Sequence, residues 1–327
     1  MKKYIALLLS VFLLICSMTG CGASKSTEKP DTSKKLSIVT TIFPEYDWVS
    51  QIVGDTDSAE IKLLLDKGVD LHSYQPTADD IVKVASCDLF IYVGGESDEW
   101  VEDALAEATN KDMKVINLLE ALGDSVKEEE VIEGMEAEEE KDEAEEEEPE
   151  YDEHVWLSLK NAQVLCDVIA DTLAEIDPAN AENYKANATA YCNELSALDE
   201  AYFETVQAGT MDTLLFADRF PFRYLVDDYG LNYYAAFVGC SAETEASFET
   251  ILFLANKVDE LGLSSIMQIE SADGRIAETV KQATSAGDQQ ILTMDSMQSA
   301  TMNDVKNGTT YLSIMEKNLE VLKEALK

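Results

Sequence analysis

The sequence predicts an α/β protein of two lobes, each a mainly parallel sheet of about four strands with flanking helices, joined by one long helix. Three observations predict this fold. Apolar strand-like runs alternate with helical patterns in two sets, and a long amphipathic stretch lies between the sets. Such alternation is typical of parallel sheets covered on both faces. A chain of 327 residues is also long for a single core.

The first lobe is assigned to residues 36–177 and the second to residues 209–327. The predicted strands of the first lobe are Leu36–Phe43, Ile61–Leu65, Asp88–Val93 and Lys114–Leu118. Those of the second lobe are Thr213–Ala217, Asn232–Val238, Ser265–Ile269 and Gln290–Met294. The segments between them carry apolar residues at steps of three and four, which predicts helices over both sheets.

The linking helix is assigned to residues 178–208. Asp177-Pro178 predicts its start, because Asp can cap free N–H groups and Pro fits a first helical turn. A single apolar stripe follows, made of Tyr184, Ala188, Tyr191, Leu195, Leu198, Tyr202 and Thr205. A long helix of this kind would act as a stiff spine and limit how far the lobes can hinge.

Residues 1–20 are predicted to be a signal peptide, with a basic start and a short apolar run. The sequence Met18-Thr19-Gly20-Cys21 resembles a bacterial lipobox, which implies cleavage before Cys21 and a lipid on its sulfur. Ordinary cleavage near Ala23 is the alternative. Residues 21–35 are polar and predict a flexible tether. We therefore expect a lipoprotein anchored to the outer face of the bacterial cell membrane.

The formal net charge of −41 argues against nucleic acid as a partner, because phosphate would be repelled. Much of this charge lies in residues 128–150, which have almost no apolar content. We expect this segment to be a disordered acidic loop inserted in the first lobe. It would either gather cations near a site or be an unselective solvated loop.

Four cysteines follow Cys21, and their spacing matches no zinc finger: Cys87, Cys166, Cys192 and Cys240. Export permits disulfides. Cys166 and Cys192 lie at similar distances from the turn at Asp177-Pro178, so an antiparallel helical hairpin could bring them together. Four buried thiols are the alternative.

The chain has two histidines, and both lie where helical stretches begin. His72 follows a predicted strand, and His154 precedes the helical pattern of WLSLKNAQ. Asp218, Glu270 and Asp295 each follow a strand of the second lobe. Ligands of open parallel sheets bind beyond the carboxyl ends of strands. Imidazole with carboxylate suits Zn²⁺, Mn²⁺ or Fe²⁺, so a metal between the lobes is expected.

Four stretches form recognisable motifs: GVDLHSYQPTADDI, DEHVWLSLKNA, FPFRYLVDDYGL and TMDSM. They resemble motifs of the zinc- and manganese-type solute-binding proteins of ABC importers. The resemblance covers nearly the whole chain beyond the tether. It implies two α/β lobes joined by one long helix, with metal ligands at His72, His154 and Asp295. It also implies delivery of a divalent metal to an ABC permease, without catalysis.

One position departs from the family pattern. The third ligand of the family, a His or Glu, corresponds here to Arg219, which cannot bind a cation. A shift of one residue would let Asp218 take that role, and Arg219 could instead pair with one of these carboxylates. A site of His72, His154, Asp218 and Asp295 leans toward Mn²⁺ or Fe²⁺ more than a three-histidine site. Zinc remains the expected ion, with manganese and iron as alternatives.

Two other classes of function are alternatives. A surface metallohydrolase would need an open coordination position, and the chain has no HExxH and no GxSxG motif. An adhesin-like surface lipoprotein with weak or no metal binding is the other alternative. The expected partners are therefore a divalent metal, an ABC permease and, through the lipid, a membrane. We expect the protein to be a monomer.

Overall fold

The computed structural model describes residues 35–136, 150–241 and 245–327, and the predicted signal peptide and Cys21 lie outside them. Two four-stranded sheets form the frame, in the orders β2-β1-β3-β4 and β6-β5-β7-β8. Their recorded pairings are parallel. The strands are β1 (Leu36–Thr40), β2 (Ala59–Leu63), β3 (Leu89–Tyr92), β4 (Lys114–Asn117), β5 (Thr213–Phe220), β6 (Asn232–Val238), β7 (Ser265–Ile269) and β8 (Gln290–Met294). The predicted fold class is confirmed.

Helices connect successive strands and flank both sheets. In the first lobe they are α1 (Phe43–Val53), α2 (Ala78–Ser86), α3 (Trp100–Ala106), α4 (Leu118–Leu122) and α5 (Leu159–Ile176). The linking helix is α6 (Ala181–Ala208). In the second lobe they are α7 (Arg223–Tyr229), α8 (Phe248–Leu261), α9 (Arg275–Ala283), α10 (Met302–Lys306) and α11 (Tyr311–Ala325). Within the described ranges, no helix has the length and apolar character that a bilayer crossing requires.

Strands β6, β7 and β8 have the predicted bounds, and the differences elsewhere have local causes. β1 ends at Thr40, because Phe43-Pro44 already begins α1 and Pro fits that first turn. β5 runs on to Phe220 instead of ending at Ala217. Its pairing with β6 shifts register between Phe216 and Arg219, so a β-bulge lies at the carboxyl end of this strand.

The linking helix begins slightly later than predicted. Its N-terminal capping position is Asn180, whereas Asp177 ends the preceding α5. Asp177 still fixes the first turn, since its Oδ2 accepts a hydrogen bond from the Tyr184 hydroxyl at 2.7 Å. The side chains of the predicted stripe are buried from Tyr184 to Tyr202.

Helix α6 is hydrogen-bonded to helices of both lobes. The Tyr191 hydroxyl donates to Asp47 Oδ2 on α1 at 3.3 Å. Eleven residues further on, the Tyr202 hydroxyl donates to the Met315 carbonyl on α11 at 2.7 Å. Both tyrosines are buried. The two lobes are therefore attached to the same long helix.

The first part of the predicted acidic loop makes defined contacts with the second lobe. We call residues 128–136 the crossing segment. Its Glu136 bridges to Phe237 on β6, and the Glu136 N–H donates to the Ala236 carbonyl at 3.0 Å. Met135 packs against the core. This departs from the expectation of disorder over residues 128–150, because backbone pairing and one apolar side chain hold the segment. Residues 137–149 lie outside the described ranges.

The cysteine prediction depends on the hairpin of α5 and α6. Cys166 on α5 is fully buried, and Cys192 on α6 is half-buried. The Cys192 Sγ donates a hydrogen bond to the Gln163 carbonyl on α5 at 3.7 Å, and burial together with the nearby Cys192 raises the pKa of the Cys166 thiol well above its usual range. The hairpin therefore brings the two cysteines together as expected, and the disulfide between them stays a prediction.

Candidate metal site

His154 is held in one orientation by the residue two before it. Asp152 Oδ1 accepts hydrogen bonds from the His154 backbone N–H at 2.9 Å and from Nδ1 at 3.0 Å. The imidazole is fully buried. Because the Nδ1 proton is engaged by the carboxylate, Nε2 presents its lone pair to the interior. This is the arrangement that a metal-binding histidine requires.

His72 meets this ring from the turn after β2. Its backbone N–H donates to Asp70 Oδ1 at 3.1 Å, and its Nδ1 lies 2.8 Å from Ser97 Oγ. The side chain is only 6% exposed. The Nε2 atoms of His72 and His154 lie 3.1 Å apart. The structure thus brings the two predicted histidine ligands together.

The distance between these nitrogens has a chemical meaning. Two neutral rings that both presented lone pairs would repel, unless a proton or a cation lay between them. Tetrahedral Zn²⁺ with bonds of about 2.0–2.1 Å would hold two nitrogens about 3.4 Å apart. Burial and the nearby charge of His154 lower the pKa of His72 to about 3. Burial alone would lower the pKa of His154, but the Asp152 carboxylate raises it above its usual value. The two imidazoles together therefore bind at most one proton between them, and a divalent cation can take the place of that proton.

A third donor, Cys240, was not assigned to the site from the sequence. One ligand atom each from His72, His154 and Cys240 lie within 4.8 Å of one another. Burial raises the pKa of the Cys240 thiol well above its usual range, and the negative charge of Asp152 adds to this. The sequence signal was its position just after the predicted strand that became β6, where ligands of parallel sheets bind.

The three donors adjoin an acidic pocket of about 210 Å³. Its lining includes His72, Glu96, Ser97, Glu129, Glu150, Tyr151, Glu153 and Cys240. Glu153 is buried, and burial raises its pKa to about 7. Its Oε1 accepts a hydrogen bond from the Ser97 N–H at 2.9 Å, while its Oε2 lies 3.4 Å from His72 Nδ1.

Gly95 leaves the space that Glu153 fills. A Cβ at Gly95 would lie 2.4 Å from Glu153 Oε1, and the φ of this residue is +81°. Any other residue would therefore be strained and would also collide with the carboxylate. Gly95 thus allows a buried carboxyl to approach His72 closely.

The predicted carboxylate ligands of the second lobe are engaged elsewhere in this structure. Asp218 lies in the β5 bulge, and its oxygens accept hydrogen bonds from the backbone N–H groups of Arg219 at 2.8 Å and Ile269 at 3.1 Å. Asp295 Oδ1 accepts from the Met297 N–H at 2.8 Å. Neither belongs to the cluster of His72, His154 and Cys240. Their assignment as ligands stays a prediction.

Glu270, the other strand-end carboxylate, lies beside Asp295. Its oxygens accept hydrogen bonds from the backbone N–H and the hydroxyl of Ser296, at 2.8 and 3.0 Å. Burial and the negative charge of Glu270 raise the pKa of Asp295 to about 6. These two carboxylates therefore repel each other, and a cation beside them would relieve that repulsion.

Arg219, the departure from the family pattern, bridges the two lobes. Its Nη2 lies 2.6 Å from Asp70 Oδ2, and its Nη1 donates to the Ser241 carbonyl at 3.2 Å. Burial alone would raise the pKa of Asp70, but the Arg219 charge lowers it overall. The guanidinium thus pairs with a carboxylate of the first lobe that the sequence analysis had not considered.

Comparison with protein families decides the class of the chain. The family described as zinc-uptake complex component A, periplasmic (ZnuA) matches residues 38–325. The chain belongs to the ZnuA family. The resemblance drawn from the histidine motifs is therefore confirmed.

Individual relatives agree with this assignment. The zinc-binding lipoprotein AdcA of Streptococcus pneumoniae serotype 4 is 33% identical over 327 residues, which cover 99% of this chain and 61% of that protein. The chain thus spans about three-fifths of the first curated relatives it matches. The high-affinity zinc uptake system protein ZnuA of Bacillus subtilis is 30% identical and is covered to 94%.

Solved structures of the family share the two-lobe fold. The Zn(II)-bound ZnuA-like domain of Streptococcus pneumoniae AdcA superimposes with a TM-score of 0.70 at 31% identity. The match covers 90% of this chain and 99% of that domain. This chain therefore shares its architecture with that zinc-bound domain.

Proposed function

We propose that this protein captures Zn²⁺ outside the cytoplasm, in the cleft between its lobes, and delivers it to the permease of an ABC importer. The observation that carries the proposal is the approach of His72 Nε2 to His154 Nε2 at 3.1 Å in a buried position. Membership in the ZnuA family supports zinc as the cargo. Relatives named for zinc binding and zinc uptake support it further.

The residues around the pair suit capture of a cation that must later be released. Asp152 fixes the tautomer of His154, which raises the basicity of Nε2. The carboxylates of Glu129 and Glu153 line the adjoining pocket and attract positive charge. Because the donors must lose protons to bind, affinity falls as the pH falls.

The second lobe is proposed to contribute a carboxylate. Asp295 is the stronger of the two predicted candidates, because it lies at the carboxyl end of β8 beside Glu270. Asp218 is the weaker one, since each of its oxygens already accepts a backbone N–H. A ligand from each lobe would let the bound ion hold the cleft closed.

Anchoring at Cys21 belongs to the same proposal. A lipid on this sulfur and the polar tether of residues 21–35 would keep the protein at the outer face of the membrane, near its permease. Labelling cells with a fatty acid tests this directly. The label should enter the protein and be lost in a Cys21→Ala variant, and a labelled variant would refute the assignment.

Metal competition tests the proposed cargo. The purified protein is stripped of metal, exposed without oxygen to equal buffered Zn²⁺, Mn²⁺ and Fe²⁺, and its bound metal is counted by mass spectrometry. We expect one zinc ion, lost in His72→Ala and His154→Ala. Asp171→Asn, which removes an exposed carboxylate from α5, is the control and should bind normally. A preparation that binds no ion tightly would overturn the proposal.

The alternative functions have less support. Surface adhesion does not require two histidines that face each other in a buried site, and a metallohydrolase would need an open coordination position beside them. The family is one of transport components, so we assign no enzymatic activity.

A further inference from the structure

We propose that Cys240 is a ligand of the bound zinc, so that a thiolate joins the two imidazoles and the proposed carboxylate of Asp295 in the site of this chain. The inference rests on the proposed function and adds the identity of a ligand from the second lobe. Its basis is the cluster in which donor atoms of His72, His154 and Cys240 lie within 4.8 Å of one another. Two nitrogens and one sulfur form a donor set that Zn²⁺ accepts readily.

The chain around Cys240 is arranged to bring the sulfur to the histidines. A Cβ at Gly239 would lie 2.8 Å from His154 Cε1, so only glycine allows the loop after β6 to pack directly on the ring. The Cys240 N–H donates to Glu129 Oε1 at 3.4 Å. Arg219 Nη1 donates to the carbonyl of Ser241. The loop is thus held on both sides of the cysteine.

A second observation points to a ligand at the same place. Glu153 is only 2% exposed and lines the pocket together with His72 and Cys240. Its Oε2 has no hydrogen-bond partner among the described residues, although it lies 3.4 Å from His72 Nδ1. A buried carboxylate oxygen without a donor is costly. A cation held by His72 and Cys240, which line the same pocket, would offset that cost.

Arg219 acquires a positioning role under this proposal. It occupies the position from which the second lobe would otherwise offer a ligand, and a guanidinium cannot bind a cation. By holding the Ser241 carbonyl and Asp70 together, it fixes the loop that carries Cys240 against the loop that carries His72. The second lobe would thus supply this ligand from the loop after β6 and not from β5.

The chemistry sets the metal preference. On binding, the Cys240 thiol loses its proton to solvent and the sulfur donates an electron pair to the metal. Thiolate favours Zn²⁺ over Mn²⁺, which prefers oxygen ligands. Cys240 would therefore shift the site away from the manganese or iron preference that two histidines and two carboxylates would give.

X-ray absorption at the zinc edge tests the proposal with the purified protein and one equivalent of Zn²⁺. We expect one sulfur neighbour at about 2.3 Å, since that is the usual Zn–S bond. The sulfur signal should be absent in Cys240→Ser and retained in Cys192→Ser, the matched control on α6. Co²⁺ loading of the unaltered protein gives a second readout, a thiolate-to-cobalt absorption band, if Cys240→Ser does not fold.

The outcomes distinguish a failure of Cys240 as a ligand from a failure of the proposed zinc capture. Bound zinc with only nitrogen and oxygen neighbours would overturn Cys240 as a ligand and leave zinc capture intact. A sulfur signal that persists in Cys240→Ser would also overturn it. A protein that holds no zinc would overturn both.

Discussion

Arg219 Nη2 on β5 lies 2.6 Å from Asp70 Oδ2 in the loop before His72, so an ion pair joins the two lobes beside the paired histidines. Both side chains are largely shielded, at 13% and 22% exposure. Asp70 also accepts the backbone N–H of His72. The ion pair therefore links the backbone position of His72 in the first lobe to the position of the second lobe.

A double-mutant cycle of Asp70→Asn and Arg219→Gln should show this connection. We expect a coupling in unfolding free energy of about 1–2 kcal/mol, because the pair is partly shielded from solvent. The exposed pair of Asp171 and Lys185, at 72% and 59% exposure, is the control. Asp171→Asn with Lys185→Gln should give about 0–0.5 kcal/mol. Equal couplings for the two cycles would contradict the prediction.

Asp152→Asn should weaken zinc binding without removing it. The amide cannot hold the Nδ1 proton of His154 as a carboxylate does, and loss of such a partner costs about 10–100-fold in metal affinity. Competition with a chromophoric chelator measures the change. An unaltered affinity would show that Asp152 does not orient the ring.

Gly95→Ala and Gly123→Ala form a matched pair. Both positions have positive φ, +81° and +52°, but only a Cβ at Gly95 meets a neighbour, Glu153. Both variants should lose about 1–3 kcal/mol of stability through backbone strain. Gly95→Ala should lose more and should also bind zinc more weakly, because Glu153 must move. Equal melting temperatures and equal affinities would contradict this expectation.

The Asp98 carboxyl should make the metal-free protein more stable at pH 5 than at pH 8. Burial raises its pKa to about 6, above the value of about 4 in an unfolded chain. The folded state therefore binds a proton that the unfolded state does not, and this stability is lost as the pH rises through 6. We expect a contribution on the order of 2 kcal/mol.

Urea unfolding at pH 5 and pH 8 measures the effect of Asp98. The difference between the two pH values should shrink in Asp98→Asn, which keeps an oxygen for the Gly94 N–H. Asp171→Asn, an exposed control, should keep the full difference. A wild-type protein that is more stable at pH 8 would reverse the predicted sign.

Cys166 and Cys192 should form a disulfide when the protein is oxidised. The two residues lie on the paired helices α5 and α6, where Cys192 Sγ donates to the Gln163 carbonyl of α5, and a loop of this length predicts about 3 kcal/mol of stabilisation. Intact mass and peptide mapping would show two hydrogens lost at this pair. Cys87, which is fully buried, is the internal control and should remain a thiol. Two free thiols after oxidation would favour the alternative of four buried cysteines.

The strands could be predicted well because the residue patterns that mark a strand are local in the sequence. The runs over β6, β7 and β8 are apolar and bounded by clear breaks, so even their ends were correct. The start of α6 was predicted a few residues too early, because Asp177 and Asn180 both have side chains that can cap a helix. Which of the two residues begins α6 depends on tertiary packing. The Tyr184 hydroxyl donates a hydrogen bond to Asp177, which lies at the end of α5.

The approach of the two histidines could be anticipated because ligand type and position agreed. His72 and His154 stood out because imidazole is rare in this chain and both residues begin helical stretches. Cys240 could have been noticed after β6, but a single cysteine carries no sign of which loop it will face. The pairing of Arg219 with Asp70 spans 149 positions of the chain. Contacts of this kind depend on how the lobes meet, which no local pattern encodes.

The scarcity of histidine gives the site a spectroscopic signature of its own. Because the chain's two imidazoles are the facing pair His72 and His154, every histidine ring resonance of an untagged, isotope-labelled sample arises from the cleft. Nitrogen chemical shifts would then report protonation, tautomer and metal occupancy at once, with no resonance assignment by mutation beyond a single variant. Loading, unloading and transfer to a membrane partner could thus be followed in one spectrum.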